Sequence, residues 1–227
     1  MTSPPIAPSA LGGHADDSTV TVGTLGEAWL ETARRILTAG RATSYDELPI
    51  RELLMLTLHV ARPQPADELI TRFADPERLA WMHANFTDHA RVPALGDADS
   101  YATRLFDYGR TGRDQLRWVT ERLQADPGCR FATITTFQPL TDTSYIPCVS
   151  LLDFYRRAGA LELVVYAHSI DFGTKGYANL VELAAVQADV SQRLDVPVGG
   201  LTMIVKSAHV YATELTAMGD VVAAWSA

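Results

Sequence analysis

The chain holds two cysteines, Cys129 and Cys148. A thiolate is a strong side-chain nucleophile, yet most free thiols are buried and inert. Spacing alone gives both cysteines the inert reading. No metal-type spacing surrounds either, so no metal site is expected. Cys148 follows Pro147 and starts a strand, where a thiol can sit at the strand edge. His209 and Tyr211 lie two apart in another apolar run and so point to one face. Two polar groups on one face of an apolar strand are less common than one, which favours a functional reading over a satisfied core pair. Asn179 offers both a donor and an acceptor. Its competing role is to cap the helix that follows it.

These residues need elements to hold them. Trp29, Ala33, Ile36 and Leu37 recur at helical spacing after residues 24–26, and Gly40 is a stop. Residues 52–60 (ELLMLTLHV) read as a first strand, closed by Pro63 and Pro65. A helix over 76–85 carries proline in its first turn. Helices over 100–108 and 114–124 are separated by 109–112, with Leu116, Val119 and Leu123 as the buried stripe of the second. Asp126-Pro127-Gly128 marks a turn before a strand over 131–137. Strands over 148–156 and 160–168 are joined at 157–159. A helix over 180–193 places Leu180, Leu183, Val186 and Val190 on one face, and a strand over 201–211 follows. This mixed order predicts an α+β domain with helices packed on a mainly antiparallel or mixed sheet. Residues 1–20 lack an apolar period and are expected to be a disordered tail, leaving 21–227 as a single domain.

Composition narrows the partners. The 227 residues are 47% hydrophobic, enough to bury a substantial core. A formal net charge of −8 does not favour nucleic acid or an anionic membrane, although a small phosphorylated ligand needs only a local cluster of donors. No apolar run approaches the length of a membrane span. The absence of a signal peptide makes reduced thiols and a cytoplasmic location the expectation.

Three blocks in order resemble the superfamily of thymidylate synthases and pyrimidine nucleotide hydroxymethylases. The first is Ser100-Tyr101-Ala102-Thr103-Arg104-Leu105, then Asp114-Gln115-Leu116, then Asp126-Pro127-Gly128-Cys129-Arg130. The second is Ile146-Pro147-Cys148, similar to the family's proline-cysteine motif. The third is Tyr166-Ala167-His168-Ser169-Ile170-Asp171, then Asn179, then Ser207-Ala208-His209-Val210-Tyr211. The match is good over residues 100–212 and weaker before.

The resemblance implies a large twisted sheet and a homodimer formed through that sheet, with active sites shared between subunits. It implies Cys148 as the nucleophile that adds to C6 of a pyrimidine nucleotide, and 5,10-methylenetetrahydrofolate as the one-carbon donor. Asn179 takes the place of the residue that reads the O4/N3 edge of the base. His209 and Tyr211 take that of the pair bound to the ribose hydroxyl, and Asp171 that of a folate contact. Tyr101 falls near the proton-transfer network. Arg130 corresponds to a phosphate-binding arginine that crosses the dimer, and Ser169 to a phosphate donor.

Several positions depart from the pattern. Phe131 and His168 stand where the family has arginines, and imidazole does not replace a bidentate guanidinium. The family glutamate three residues before a tryptophan is Arg78 here, before Trp81, with Glu77 one position off and Glu52 as the alternative. Val149 replaces the histidine after the cysteine. The chain ends in residues 220–227 without the family's closing tail. These departures tilt the expectation towards a divergent enzyme, a hydroxymethylase rather than a housekeeping thymidylate synthase. The rival readings are action on a different pyrimidine-like substrate without the usual phosphate clamp, and a non-catalytic nucleotide-binding homodimer.

Overall fold

The computed structural model describes residues 18–143 and 145–227. Its strands are β1 (Thr19–Val22), β2 (Arg41–Tyr45), β3 (Leu48–Val60), β4 (Arg91–Val92), β5 (Ala98–Asp99), β6 (Ala132–Thr135), β7 (Val149–Arg157), β8 (Ala160–Ala167), β9 (Ile170–Asp171) and β10 (Val198–Tyr211). Its helices are α1 (Leu25–Ala39), α2 (Glu68–Phe73), α3 (Pro76–Thr87), α4 (Tyr101–Phe106), α5 (Gln115–Ala125), α6 (Gly176–Leu194) and α7 (Leu215–Ser226).

The main sheet runs β1-β3-β10-β8-β7-β6, with β2 on β3 and β9 on β10. The β3–β10, β7–β8 and β6–β7 pairs are antiparallel, whereas β1–β3 and β8–β10 are parallel. The fold is therefore the expected α+β arrangement on a mixed sheet. Helices α1 and α6 cover one face of β3, β8 and β10. Trp29, Ile36, Leu180, Leu183, Leu201, Met203 and Val205 are buried in that layer. On the other face Leu54 and Met55 are about half exposed.

Sequence and structure agree on most elements, and the differences have physical causes. The expected tail over 1–20 lies almost wholly outside the described residues, but Thr19 and Val20 already belong to β1, paired with Thr57 and Leu58. The β2–β3 hairpin turns at Asp46 and Glu47, both at positive φ. That is a tight hairpin turn built without the glycine or asparagine that signals one. Residues 220–226 form the end of α7, a helix whose Met218 and Val222 are buried. Helix α6 begins at Gly176, four residues earlier than its apolar stripe suggested. A Cβ at Gly176 would lie 2.9 Å from the Phe172 ring, so only glycine permits this close approach. Tyr177 then packs on Trp29, with ring centroids 4.6 Å apart.

A break in the alternation of β10 shapes the site, although its pairing with β3 keeps one register from Leu201 opposite Val60 to Tyr211 opposite Ile50. Leu201, Met203 and Val205 alternate onto the helix face, and burial resumes at Ala208 and Val210. Lys206 and Ser207 therefore both lie off that face. With the alternation broken there, His209 and Tyr211 face the cavity and not the layer of Leu201, Met203 and Val205.

Candidate active site

A cavity of about 730 Å³ opens where β7, β8 and β10 meet the first turn of α6. Cys148, His168, Ser169, Asp171, Asn179, His209 and Tyr211 all line it. These seven positions come from four separate stretches of chain, and the fold brings them to one wall.

Cys148 sits just before β7. Its carbonyl accepts the N–H of His168 at 3.0 Å, and the next N–H, on Val149, donates to the Tyr101 hydroxyl at 3.0 Å. Thr136 donates its hydroxyl to the Val149 carbonyl. The preceding loop is tied down by Arg104, a guanidinium only 2% exposed, which makes two 2.8 Å bonds to Asp142 and one of 2.7 Å to the Thr136 carbonyl. Burial pushes the Cys148 thiol up from its ordinary pKa; the Lys175 ammonium and a hydrogen bond from Tyr145 act against that rise.

The imidazoles are neutral near pH 7. Burial holds His209 below its ordinary pKa, although Asp171 and Glu52 pull the other way. Burial and the neighbouring Lys206 cation lower His168. Ser150 Oγ lies 3.2 Å from His168 Nδ1, and Ser169 Oγ lies 3.4 Å from His209 Nδ1. His209 Nε2 is buried with no partner among the described residues. A buried ring nitrogen without a partner is costly unless a ligand completes it.

Asn179 lies inside α6 and does not cap it, which corrects the capping alternative. The cap position belongs to Lys175, and Asn179 Nδ2 donates to the Lys175 carbonyl at 3.0 Å. That bond uses one N–H and leaves the other, with the oxygen, for a ligand. Asp171 is engaged on both oxygens, by the Gly173 N–H and the Thr174 hydroxyl, so it organises the turn as well as facing the cavity.

The thymidylate synthase family model matches residues 66–223. The chain belongs to the thymidylate synthase family. Among its relatives is a Methanosarcina acetivorans protein named "Putative thymidylate synthase", 30% identical over 195 residues, covering 82% of this chain and 86% of the relative. A protein of the same name from Methanothermobacter marburgensis is 27% identical, covering 85% of this chain and 92% of that one. The deoxyuridylate hydroxymethyltransferase of Bacillus phage SP01 is 41% identical over 105 residues, covering 43% of this chain and 27% of the phage protein.

Five of the residues singled out against the family's pattern fall outside the cavity. Tyr101 lies behind it, 5% exposed, stacked on Phe86 and bonded to the chain beside Cys148. Glu77 is exposed in the first turn of α3, where proline and the Asp75 cap place it towards solvent. The alternative carboxylate, Glu52, is 7% exposed and paired in register with His209. Burial raises its pKa, but hydrogen bonds from Ser207 and Arg41 outweigh this and keep it ionised. Arg130 lines a separate cleft with Asp153 and Arg156, and Phe131 is 63% exposed.

The cavity also contains groups that the family's pattern did not flag. Tyr45, Tyr145, Lys175 and Lys206 all line it. One signal for the lysines was present in the sequence: they are the chain's two lysines, among 19 basic residues.

Proposed function

We propose that the protein transfers a one-carbon unit to C5 of a pyrimidine nucleotide through a covalent adduct between Cys148 and C6, as a homodimer. The observation that carries this reading is the convergence of Cys148, Asn179, His209 and Tyr211 on one cavity of a thymidylate synthase family fold.

The Cys148 sulfur forms a bond to C6, and the displaced electron pair runs to the O4 side of the ring. C5 thereby becomes nucleophilic and attacks an electrophilic carbon. Loss of the C5 proton and departure of the sulfur follow. Asn179 holds the O4/N3 edge with its remaining N–H and its oxygen. The unpartnered Nε2 of His209, with the Tyr211 hydroxyl, takes a ribose hydroxyl.

The donor is 5,10-methylenetetrahydrofolate, which supplies the electrophilic carbon when bound. The cavity, about 730 Å³, lies within the roughly 300–1,000 Å³ range of ligand pockets. Asp171 faces that space, and a carboxylate that already accepts two hydrogen bonds can accept two more. The product favoured here is hydroxymethyl: loss of the C5 proton would break the bond to the folate nitrogen and release tetrahydrofolate, water would add to the exocyclic methylene so formed, and the sulfur would then leave C6. Val149 after the cysteine and the likeness to a phage deoxyuridylate hydroxymethyltransferase support it.

With His168 neutral, Lys206 supplies the same subunit's positive charge for a phosphate beside His168 and Ser169, and Arg130 of the partner subunit supplies the rest. The rival reading, an unphosphorylated substrate, draws on Phe131 and His168 at arginine positions, and Lys206 speaks against it. A panel of pyrimidine nucleosides and monophosphates with the folate donor, read by mass spectrometry, tests both. Lys206→Gln is expected to weaken a monophosphate about tenfold, roughly 1.4 kcal/mol, and to leave the nucleoside unchanged. A product from none of the panel would overturn the proposal; equal loss for both ligands would remove the phosphate from Lys206.

A further inference from the structure

Both lysines of this arginine-dominated chain face one cavity, and neither makes an ion pair among the described residues. Lys206 lies along β10 beside His168. Lys175 lies at the cap position of α6 and faces Cys148 across the cavity. Its backbone is held from three directions. Its N–H donates to the Asp171 carbonyl at 3.2 Å, and its carbonyl accepts both the backbone N–H and the side-chain Nδ2 of Asn179 at 3.0 Å. The loop behind it is fixed by the Trp29 indole, which donates to the Phe172 carbonyl at 2.9 Å, and by the Phe172 N–H, which donates to the His209 carbonyl at 2.7 Å.

This is a poor place for a lysine on grounds of stability. The N-terminus of a helix is its positive end and disfavours a cation. The cap position prefers a side-chain oxygen that can accept a backbone N–H, and Lys175 makes no capping bond. The ammonium caps nothing, and the Trp81 ring of α3 lies 6.0 Å from its nitrogen, at the outer limit of a cation–π contact.

The ammonium does have a use at the other side of the cavity. Cys148 is packed against the apolar core, where burial penalises the thiolate. Lys175 is the foremost influence opposing that penalty, followed by the hydrogen bond from the Tyr145 hydroxyl. Asp171 acts in the opposite sense. Other titratable groups in the cavity are the hydroxyls of Tyr45 and Tyr211, with that of Tyr101 behind it, all held protonated by burial, the imidazoles of His168 and His209, both held neutral by burial, and the Lys206 ammonium beside His168. Tyr145 is held protonated in the same way and so remains a donor.

We infer that Lys175 is a positioning residue for the nucleophile, holding the Cys148 thiolate by charge while Tyr145 donates its hydroxyl proton to the same sulfur. The S–H proton passes to solvent, and the negative charge left on sulfur faces the ammonium. The assignment deepens the proposed reaction and rests on that reading for its purpose, but the ionisation is a property of the free protein and is measured without nucleotide.

The experiment is alkylation of the full chain by iodoacetamide from pH 7 to 10, quantified by peptide mass spectrometry. The Cys148 sulfur bonds to carbon and iodide leaves; the rate follows the thiolate fraction. Buried Cys129 reports unfolding within the same sample. Lys175→Ser is expected to slow Cys148 alkylation about tenfold at pH 8, displacing the profile upward by about one unit, while raising the melting temperature because serine caps the helix. Lys175→Arg should keep the wild-type profile, and Tyr145→Phe should displace it in the same direction as Lys175→Ser. A merely structural lysine predicts a lower melting temperature in Lys175→Ser and an unmoved profile, and that result overturns the inference. If Cys129 becomes reactive in Lys175→Ser, Lys175→Met reads the same profile and decides in the same way. An unmoved profile alongside intact turnover removes the role of Lys175 alone. A displaced profile alongside an unreactive ligand panel removes the substrate assignment instead.

Discussion

The hydroxyl of Tyr101, in the first turn of α4, accepts the backbone N–H of Val149 at 3.0 Å. The chain immediately after Cys148 is therefore fixed by a side chain from 48 positions earlier in sequence. Tyr101→Phe keeps the stacking on Phe86 and removes only the acceptor. Leaving that buried N–H unpaired should cost roughly 1–3 kcal/mol of stability. Urea unfolding measures the loss. Turnover should fall with it, because Cys148 gains freedom. A variant with wild-type stability and rate would show that the bond does not hold the site.

Acid should destabilise the fold through His209. Its folded pKa lies below the ordinary imidazole value of about 6.5, because burial outweighs the attraction of Asp171 and Glu52. Below 6.5 the unfolded chain binds more protons than the folded one. The stability tied to His209 is therefore complete above 6.5 and is lost as pH falls through 6.5 towards the folded value. Melting temperatures at pH 7.5 and 5.5 test this. His209→Gln should narrow the difference between them, and an unchanged difference would assign the effect to other groups.

A homodimer with shared sites predicts complementation between two inactive parents. Arg130 lines a cleft separate from its own subunit's Cys148 cavity, the placement that a site shared between subunits requires. Mixing Cys148→Ser with Arg130→Ala subunits should give heterodimers with one intact site, and activity should return to about a quarter of wild type at random pairing. Sedimentation establishes the assembly. Dimeric parents that fail to complement would place Arg130 outside the shared site.

Much of the site could be read from the sequence because its spacing obeys simple geometry. His209 and Tyr211 share a face on β10, and the segment from His168 to Asp171 follows β8 and runs beside them as β9, with Asp171 opposite His209. What escaped depended on contacts distant in sequence. Glu52 and Glu77 are indistinguishable as isolated acids, and only the β3–β10 pairing places Glu52 against His209. Asn179 looked like a cap because the apolar stripe of α6 starts after it; the earlier start depends on Gly176 passing close to Phe172. Tyr145 and Lys175 carry no periodic signal, since one sits in a loop and the other at a helix end. Strand β2 is wholly exposed along its length and lacks the alternation by which strands are recognised.

The central claim is that Cys148 adds to C6 of a pyrimidine nucleotide. Release of tritium from C5-labelled uridine and cytidine nucleotides reports that addition, because C5 exchanges its hydrogen only while the adduct exists. The wild-type protein is predicted to release tritium from one of them, and Cys148→Ser is predicted to release none while still binding it, since a serine hydroxyl is far less ionised near neutral pH. Exchange that continues undiminished in Cys148→Ser would contradict the account.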